Sequence, residues 1–569
     1  MPYDLIIKNG RIVDGSGMPS FRGDVGVRDG KIVEVGKVDG EAGRVINADG
    51  LAISPGFIDN HTHYDAQVTW DPLCTSSCYH GVTSVMMGHC GLALAPARPD
   101  DQDALAQMLS RIEAIPIDAL RAGIRWEWET IPQYLNAVDR QLGVNVGALI
   151  GHSAVRRWVL GADASEREAT PDEITAMRQI VREAVEAGAI GFSTNQNVRH
   201  IDYQGRPVPS VVAPQSEILA LTDVFGELGT GVIQTSDPGN IERNARMSQE
   251  ISRRTGRPVV WLGIFQTWGE PNKWQELLNV AADGFAAGAR AYPMASPRRH
   301  VTRFNLLNAQ IFDGLPSWLP ISLASPEEKV RAYRDPEVRV RLREEAVVGT
   351  GISAAPGVFS RRWDLLSVAK PQLPKNQALR GKSIAQIATE RGADILDTFL
   401  DLALEENLET GFEMVNLNGD DTAVAQILTS PYVLIGLADS GAHVVFDAGY
   451  GFCTRLLGYW VREKGVMSLE EAVRKLTFMT ASIYGLHDRG LIRPGLVADL
   501  VVFDPDTVAA REPEVIGDLP GGGERLEQKA DGILCTVVNG QVLIEDNQHT
   551  GALPGRVLRN SRYQATNGA

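Results

Sequence analysis

The sequence is poor in cysteine and in basic charge and holds no long apolar run, and each shortage removes a class of explanation. Five cysteines are scattered over 569 residues, too few and too dispersed for a disulfide framework, which points to a reducing compartment. Cys74 and Cys78, in "CTSSC", have the spacing of helix neighbours, and no second pair follows to complete a zinc site. Acids outnumber bases by 71 to 55, for a net charge of −16. Such a chain repels phosphate backbones and anionic lipid surfaces, so neither a nucleic acid nor a membrane is an expected partner. No stretch of about 18 apolar residues occurs, and the start "MPYDLIIKNGRIVDG" has no basic leader followed by an apolar block. A soluble, cytoplasmic protein is the expectation. A P-loop and a dinucleotide fingerprint are absent, and "GHSAV" around Ser153 lacks the second glycine of a nucleophile elbow.

What remains is material for a large core, with 44% of residues hydrophobic. The first 55 residues alternate short apolar runs with Asn-Gly and Asp-Gly turns, and the C-terminal stretches "VADLVVFDPDTV" and "GILCTVVNGQVLIEDN" repeat that texture. Period-two runs broken by such turns read as hairpins, so residues 1–55 and 483–569 are expected to join in one small β-sandwich domain. Between them, residues 56–482 alternate Val/Ile/Gly-rich runs with helical stretches such as 172–188 and 216–229, the rhythm of a parallel α/β sheet. Candidate strands near 53–63, 81–91, 144–152, 187–195, 231–236, 257–264, 288–294 and 432–439 make a TIM-like (β/α)8 barrel. Residues 297–430 then form an insertion before the last strand, of the kind that lines or covers active sites. The closing "NSRYQATNGA" reads as a frayed or partner-held tail.

The first barrel strand ends in "DNHTHYD". On a strand, residues two apart share a face, which stacks Asp59, His61 and His63 on one side. Two imidazoles at a strand end can bind zinc or a similar ion; taken alone, the pair fits a polar strand end equally well. The last strand ends in "LADSGAH", and in a closed barrel the first and last strands are neighbours. Asp439 is therefore expected beside His61 and His63, as a third ligand or else as a turn residue.

At this point the sequence resembles the amidohydrolase superfamily, and more closely its D-aminoacylase, or N-acyl-D-amino-acid deacylase, branch. The resemblance runs through "PGFIDNHTHYD", "GVTSVMMGHCGLALAP", "IGHSAVR", "GAIGFST", "LADSGAH", "LTFMTASIYGLHDRGLIRPGLVADLVVFDP" and "GRVLR", in that order. It implies a metal-assisted hydrolase of a small amide, with His61 and His63 as metal ligands and Asp439 as both ligand and general base. Cys90 in "GHCG" matches the branch's zinc-binding cysteine, while its neighbour His89 is expected to face away if the strand persists. The branch carries histidines at the ends of strands five and six. Here those segments read "GVIQTSD" and "PVVWLGIF", with Gln234 and Trp261 but no histidine. One zinc ion is therefore favoured over two. His152, His200, His443 and Gln234 are candidate substrate contacts. Hydrolysis of a cyclic amide, imide or lactone is an alternative, since a fold does not fix its substrate, and a catalytically silent scaffold is another. Assembly with copies of itself stays open.

Overall fold

A computed structural model of the chain describes residues 2–349, 359–445 and 447–564. Two compact units divide it. One takes the chain up to Ile264, Leu277–Pro297 and the chain from Leu428 onwards; the other takes Phe265–Glu276 and Arg298–Ile427.

The first unit holds eight parallel strands in sequence order. They are β1 (Phe57–Asp59), β2 (Val82–Met87), β3 (Asn145–Gly151), β4 (Gly191–Asn195), β5 (Val232–Ser236), β6 (Val259–Leu262), β7 (Ala291–Ala295) and β8 (Leu434–Ile435). β1 to β5 are buried at every position. Strands covered on both faces need such continuous apolar runs, which is why they stood out in the sequence. β8 returns to β1: Thr62 and Ser440 form a parallel bridge, His63 N–H donates to Ser440 O at 2.8 Å, and Asn60 Nδ2 donates to Ile435 O at 2.8 Å. Gly436 permits that seam, because a Cβ there would lie 1.9 Å from Asn60 Oδ1.

Helices follow the strands with buried stripes at helical spacing. In Pro171–Glu186 the buried residues are Met177, Val181, Ala184 and Val185, and Thr170 with Glu173 closes the start as a capping box. No helix of the described residues is long and apolar enough to cross a membrane.

The predicted strand at 53–63 is in fact two. Ala52–Pro55 pairs antiparallel with Leu500–Phe503, and only Gly56 separates it from β1. A Cβ at Gly56 would meet Thr83 Oγ1 at 2.1 Å, so the crossing between sheets needs glycine. Both chain ends do meet, in one sheet of nine strands around Leu5, Ile7, Val25, Val27, Leu500 and Val537. Its strands pair in one continuous sheet; the pairing itself defines no second layer. The tail is anchored at least through Arg562: Asn560 Nδ2 donates to Val185 O and Ala189 O, and Arg562 Nη1 to Leu228 O at 2.9 Å. Fraying does not begin at Asn560, and residues 565–569 of that predicted tail lie outside the described residues.

The second unit has its own core. A three-stranded sheet of His300–Phe304, Gly411–Leu417 and Leu366–Lys370 accompanies an aromatic cluster in which Phe312 stacks on Trp318 at 4.2 Å. The unit also includes Phe265–Glu276, which the expected 297–430 span leaves out.

His80 illustrates what the larger core costs in acid. It is fully buried, with Thr454 Oγ1 at 2.9 Å and Gln528 O at 3.2 Å. Burial pushes its pKa from 6.5 down to about 4. Below pH 6.5 the unfolded chain takes up this proton before the folded one does. The stabilisation is therefore complete above pH 6.5 and is lost as pH falls towards 4, by on the order of 3 kcal/mol. Melting temperatures measured across that window should decline less steeply for His80→Gln than for the wild type; parallel declines would refute this reading.

Candidate metal centre

Loops at the C-terminal ends of the strands bring four potential metal-binding side chains together. His61 Nε2 lies 3.3 Å from Asp439 Oδ1 and His63 Nε2 lies 3.2 Å from the same oxygen. Cys90 Sγ is 3.6 Å from His61 Nε2, and one ligand atom from each of His61, His63 and Cys90 falls within 4.8 Å of the others. The two imidazoles are sealed from solvent, whereas the Asp439 side chain keeps 31% exposure. Asp439 and Cys90 both turn inward through left-handed backbone, at φ 56° and 55°. For non-glycine residues this costs on the order of 1 kcal/mol each, and such strain concentrates at functional sites.

The electrostatics describe a trap for positive charge. Burial disfavours protonation of His61, yet Cys90 and Asp439 beside it raise its pKa to about 9. Burial likewise opposes the rise at His63, where Glu113 and Asp439 prevail and hold it well above its ordinary value. The Asp439 carboxyl, which burial alone would raise, is pulled well below the usual range by the two imidazoles. The Cys90 thiol follows the same logic: burial raises it, and His61 and His63 bring it below its ordinary value, favouring thiolate. A cavity that draws protons onto two imidazoles in this way also favours a metal cation, with which those protons compete. Two imidazole nitrogens, a carboxylate oxygen and a thiolate form a donor set suited to zinc, so the residues present fit one such ion.

The remaining predicted residues divide. Gln234 reaches the cluster: its Oε1 accepts the Cys90 N–H at 2.9 Å, and its Nε2 is buried without a hydrogen-bond partner. His443 stands beside it, with Nε2 4.0 Å from Asp439 Oδ2. His200, in the loop after β4, bonds Asn195 Nδ2 through Nδ1 at 2.7 Å. Burial, followed by the charge of His63, lowers its pKa to about 4, so it is neutral at pH 7. His152 is bonded away from the cluster. Its Nδ1 is engaged by Thr194 Oγ1 and its Nε2 by Glu217 Oε1, each at 2.8 Å, and Glu217 also binds Arg156. The helix His152–Leu160 begins at this residue, and both ring nitrogens are engaged by internal bonds.

Two further neighbours adjoin the cluster, His89 against expectation and Glu113 without any sequence signal. His89 was expected to face away, but β2 stops at Met87, and Gly88 (φ 81°) and Cys90 break the alternation. His89 instead stacks on His61 with centroids 4.1 Å apart, both of its nitrogens buried and unpartnered. The glycine in "MMGHCG" was the signal that the alternation would fail. Glu113, the last residue of the helix Gln102–Glu113, is 4% exposed and places Oε1 3.6 Å from His63 Nδ1; no motif marks it.

The amidohydrolase family model matches residues 44–544. The chain is 28% identical to the D-aminoacylase of Alcaligenes xylosoxydans xylosoxydans over 564 residues, covering 98% of each. Among solved structures, a D-aminoacylase whose binuclear centre is described as one-metal activated and second-metal attenuated matches with TM-score 0.65 and 28% identity, over 98% of this chain and 100% of that one. The N-acyl-D-glutamate deacylase of Bordetella bronchiseptica, complexed with zinc and a phosphonate mimic of the tetrahedral intermediate, matches with TM-score 0.65 and 26% identity over the same shares. With most of its length matched by the family and its barrel closed over a His-His-Asp cluster, this chain belongs to the amidohydrolase family and is a hydrolase of carbon–nitrogen bonds.

Proposed function

We propose that this amidohydrolase deacylates a small N-acyl amino acid, of the D configuration, splitting the amide with water into a carboxylate and a free amine. The observation that carries the reading is the position of Asp439 Oδ1, within 3.3 Å of both imidazole Nε2 atoms. In this reading His61, His63 and Asp439, joined by Cys90, hold one zinc ion. Zinc bound there supplies Lewis-acid polarisation and lowers the pKa of water towards about 7. Asp439 takes the proton from the attacking water and returns it to the leaving nitrogen. Gln234, its oxygen held by the Cys90 N–H, donates from Nε2 to the carbonyl oxygen as negative charge develops there. His443 and His200 line the substrate side.

A single ion is favoured because β5 and β6 offer Gln234 and Trp261 in place of imidazoles, and because the solved D-aminoacylase is described as one-metal activated. The D-aminoacylase and N-acyl-D-glutamate deacylase relatives, both full-length matches, support the substrate class. The five buried free thiols suit a reducing cytoplasm.

A panel of zinc-loaded assays decides between substrates. N-acetyl-D-amino acids should release free amine faster than their L counterparts, hydantoins or lactones. Turnover of cyclic amides or lactones alone would overturn the deacylase reading, and no turnover on any member would favour a silent scaffold.

A further inference from the structure

We propose that Glu113 is a positioning residue, the carboxylate that orients His63 for metal binding and couples that orientation to the loop carrying Asp439 and His443. The inference rests on the metal-site reading above. His63 turns Nε2 towards Asp439, so its Nδ1 lies on the opposite side of the ring, buried and without a hydrogen-bond partner. Glu113 Oε1 faces that nitrogen from 3.6 Å. A neutral imidazole has one proton, and a ligating Nε2 must spend its lone pair on the ion, which puts the proton on Nδ1. A carboxylate opposite Nδ1 stabilises that tautomer and makes the ligating nitrogen more basic.

The second half of the proposal comes from the other side of the same residue. Glu113 Oε2 lies 3.9 Å from His443 Nε2, and Glu113 O accepts the His443 N–H at 2.5 Å. That carbonyl belongs to the last turn of a helix, where no intrahelical donor is available, so the bond fixes the His443 loop to the helix end. Ala114 ends the helix in left-handed backbone at φ 50°, while Leu105, Met108 and Leu109 bury its inner face. Glu113 is thus set by scaffold packing and not by a free loop. A carboxylate this buried requires compensating partners, and the two that face it are the imidazoles of His63 and His443.

The test measures zinc affinity of the full-length protein by competition with a chromophoric chelator, alongside the melting temperature of the metal-free protein. Glu113→Gln keeps the shape and removes the charge; Glu113→Leu removes the acceptor as well. Zinc affinity should fall by about 10-fold in the first and about 100-fold in the second, while the metal-free melting temperature stays level or rises. Wild-type affinity in a folded Glu113→Gln protein would overturn the proposal and leave the metal site standing. A lower metal-free melting temperature with unchanged zinc affinity, or failure of both variants to fold, would assign a structural role and overturn it as well. Failure of the wild type to take up zinc would overturn the metal reading itself and Glu113's role with it.

Discussion

Replacing Asp439 by asparagine is expected to lower turnover about 10³-fold while leaving the fold intact. Asparagine is nearly the same shape as aspartate and is among the residues that tolerate left-handed backbone, so the φ of 56° at this position does not force a rearrangement. Its amide cannot take a proton from water. It also removes a negative charge that lies within 3.3 Å of both His61 and His63, so metal affinity should fall together with proton transfer. Saturating zinc separates the two effects, because lost affinity is recovered by mass action and lost general-base function is not. The measurement is kcat at saturating zinc and substrate, with a melting curve to show folding. Near-normal kcat in a folded Asp439→Asn protein would remove Asp439 as the base.

Stripping the protein with a chelator should abolish turnover, and one equivalent of zinc should restore all of it. The donor atoms of His61, His63 and Cys90 cluster together, and Asp439 lies within 3.3 Å of both imidazoles, which in the proposed reading gives one site. A second ion would need donors on β5 and β6, where Gln234 already has its oxygen engaged by the Cys90 N–H and Trp261 has no ligand atom to give. Activity plotted against zinc added to the stripped enzyme should rise to a plateau at one equivalent. A break at two equivalents would overturn the one-ion expectation.

The parts of this arrangement that follow a period were legible in the sequence. Buried parallel strands read as apolar runs, and seven of the eight barrel strands fall within the predicted stretches, the seventh strand running one residue past its stretch to Ala295. Barrel closure then brought Asp439 to His61 across nearly the whole length of the barrel sequence. Features that depend on where a period stops were not legible. His89 was misplaced because β2 ends at Met87, short of the expected 81–91 stretch and just before a glycine whose φ of 81° turns the chain. Glu113 comes from a helix end with no motif around it, and its contact with His63 is a product of packing. His152 lies at the end of β3 as expected, and its bond through Nε2 to Glu217, a buried acid from a later helix, is a tertiary contact that no local pattern marks. The stretch Phe265–Glu276 belongs to the second unit because of contacts that no local pattern announces.

Anomalous diffraction at the zinc edge from crystals of the zinc-loaded protein counts the ions and identifies their ligands together. One peak is expected, bound by His61 Nε2, His63 Nε2, Asp439 Oδ1 and Cys90 Sγ. The absence of a peak at this cluster, or an ion whose ligands leave out His61, His63 and Asp439, would contradict it.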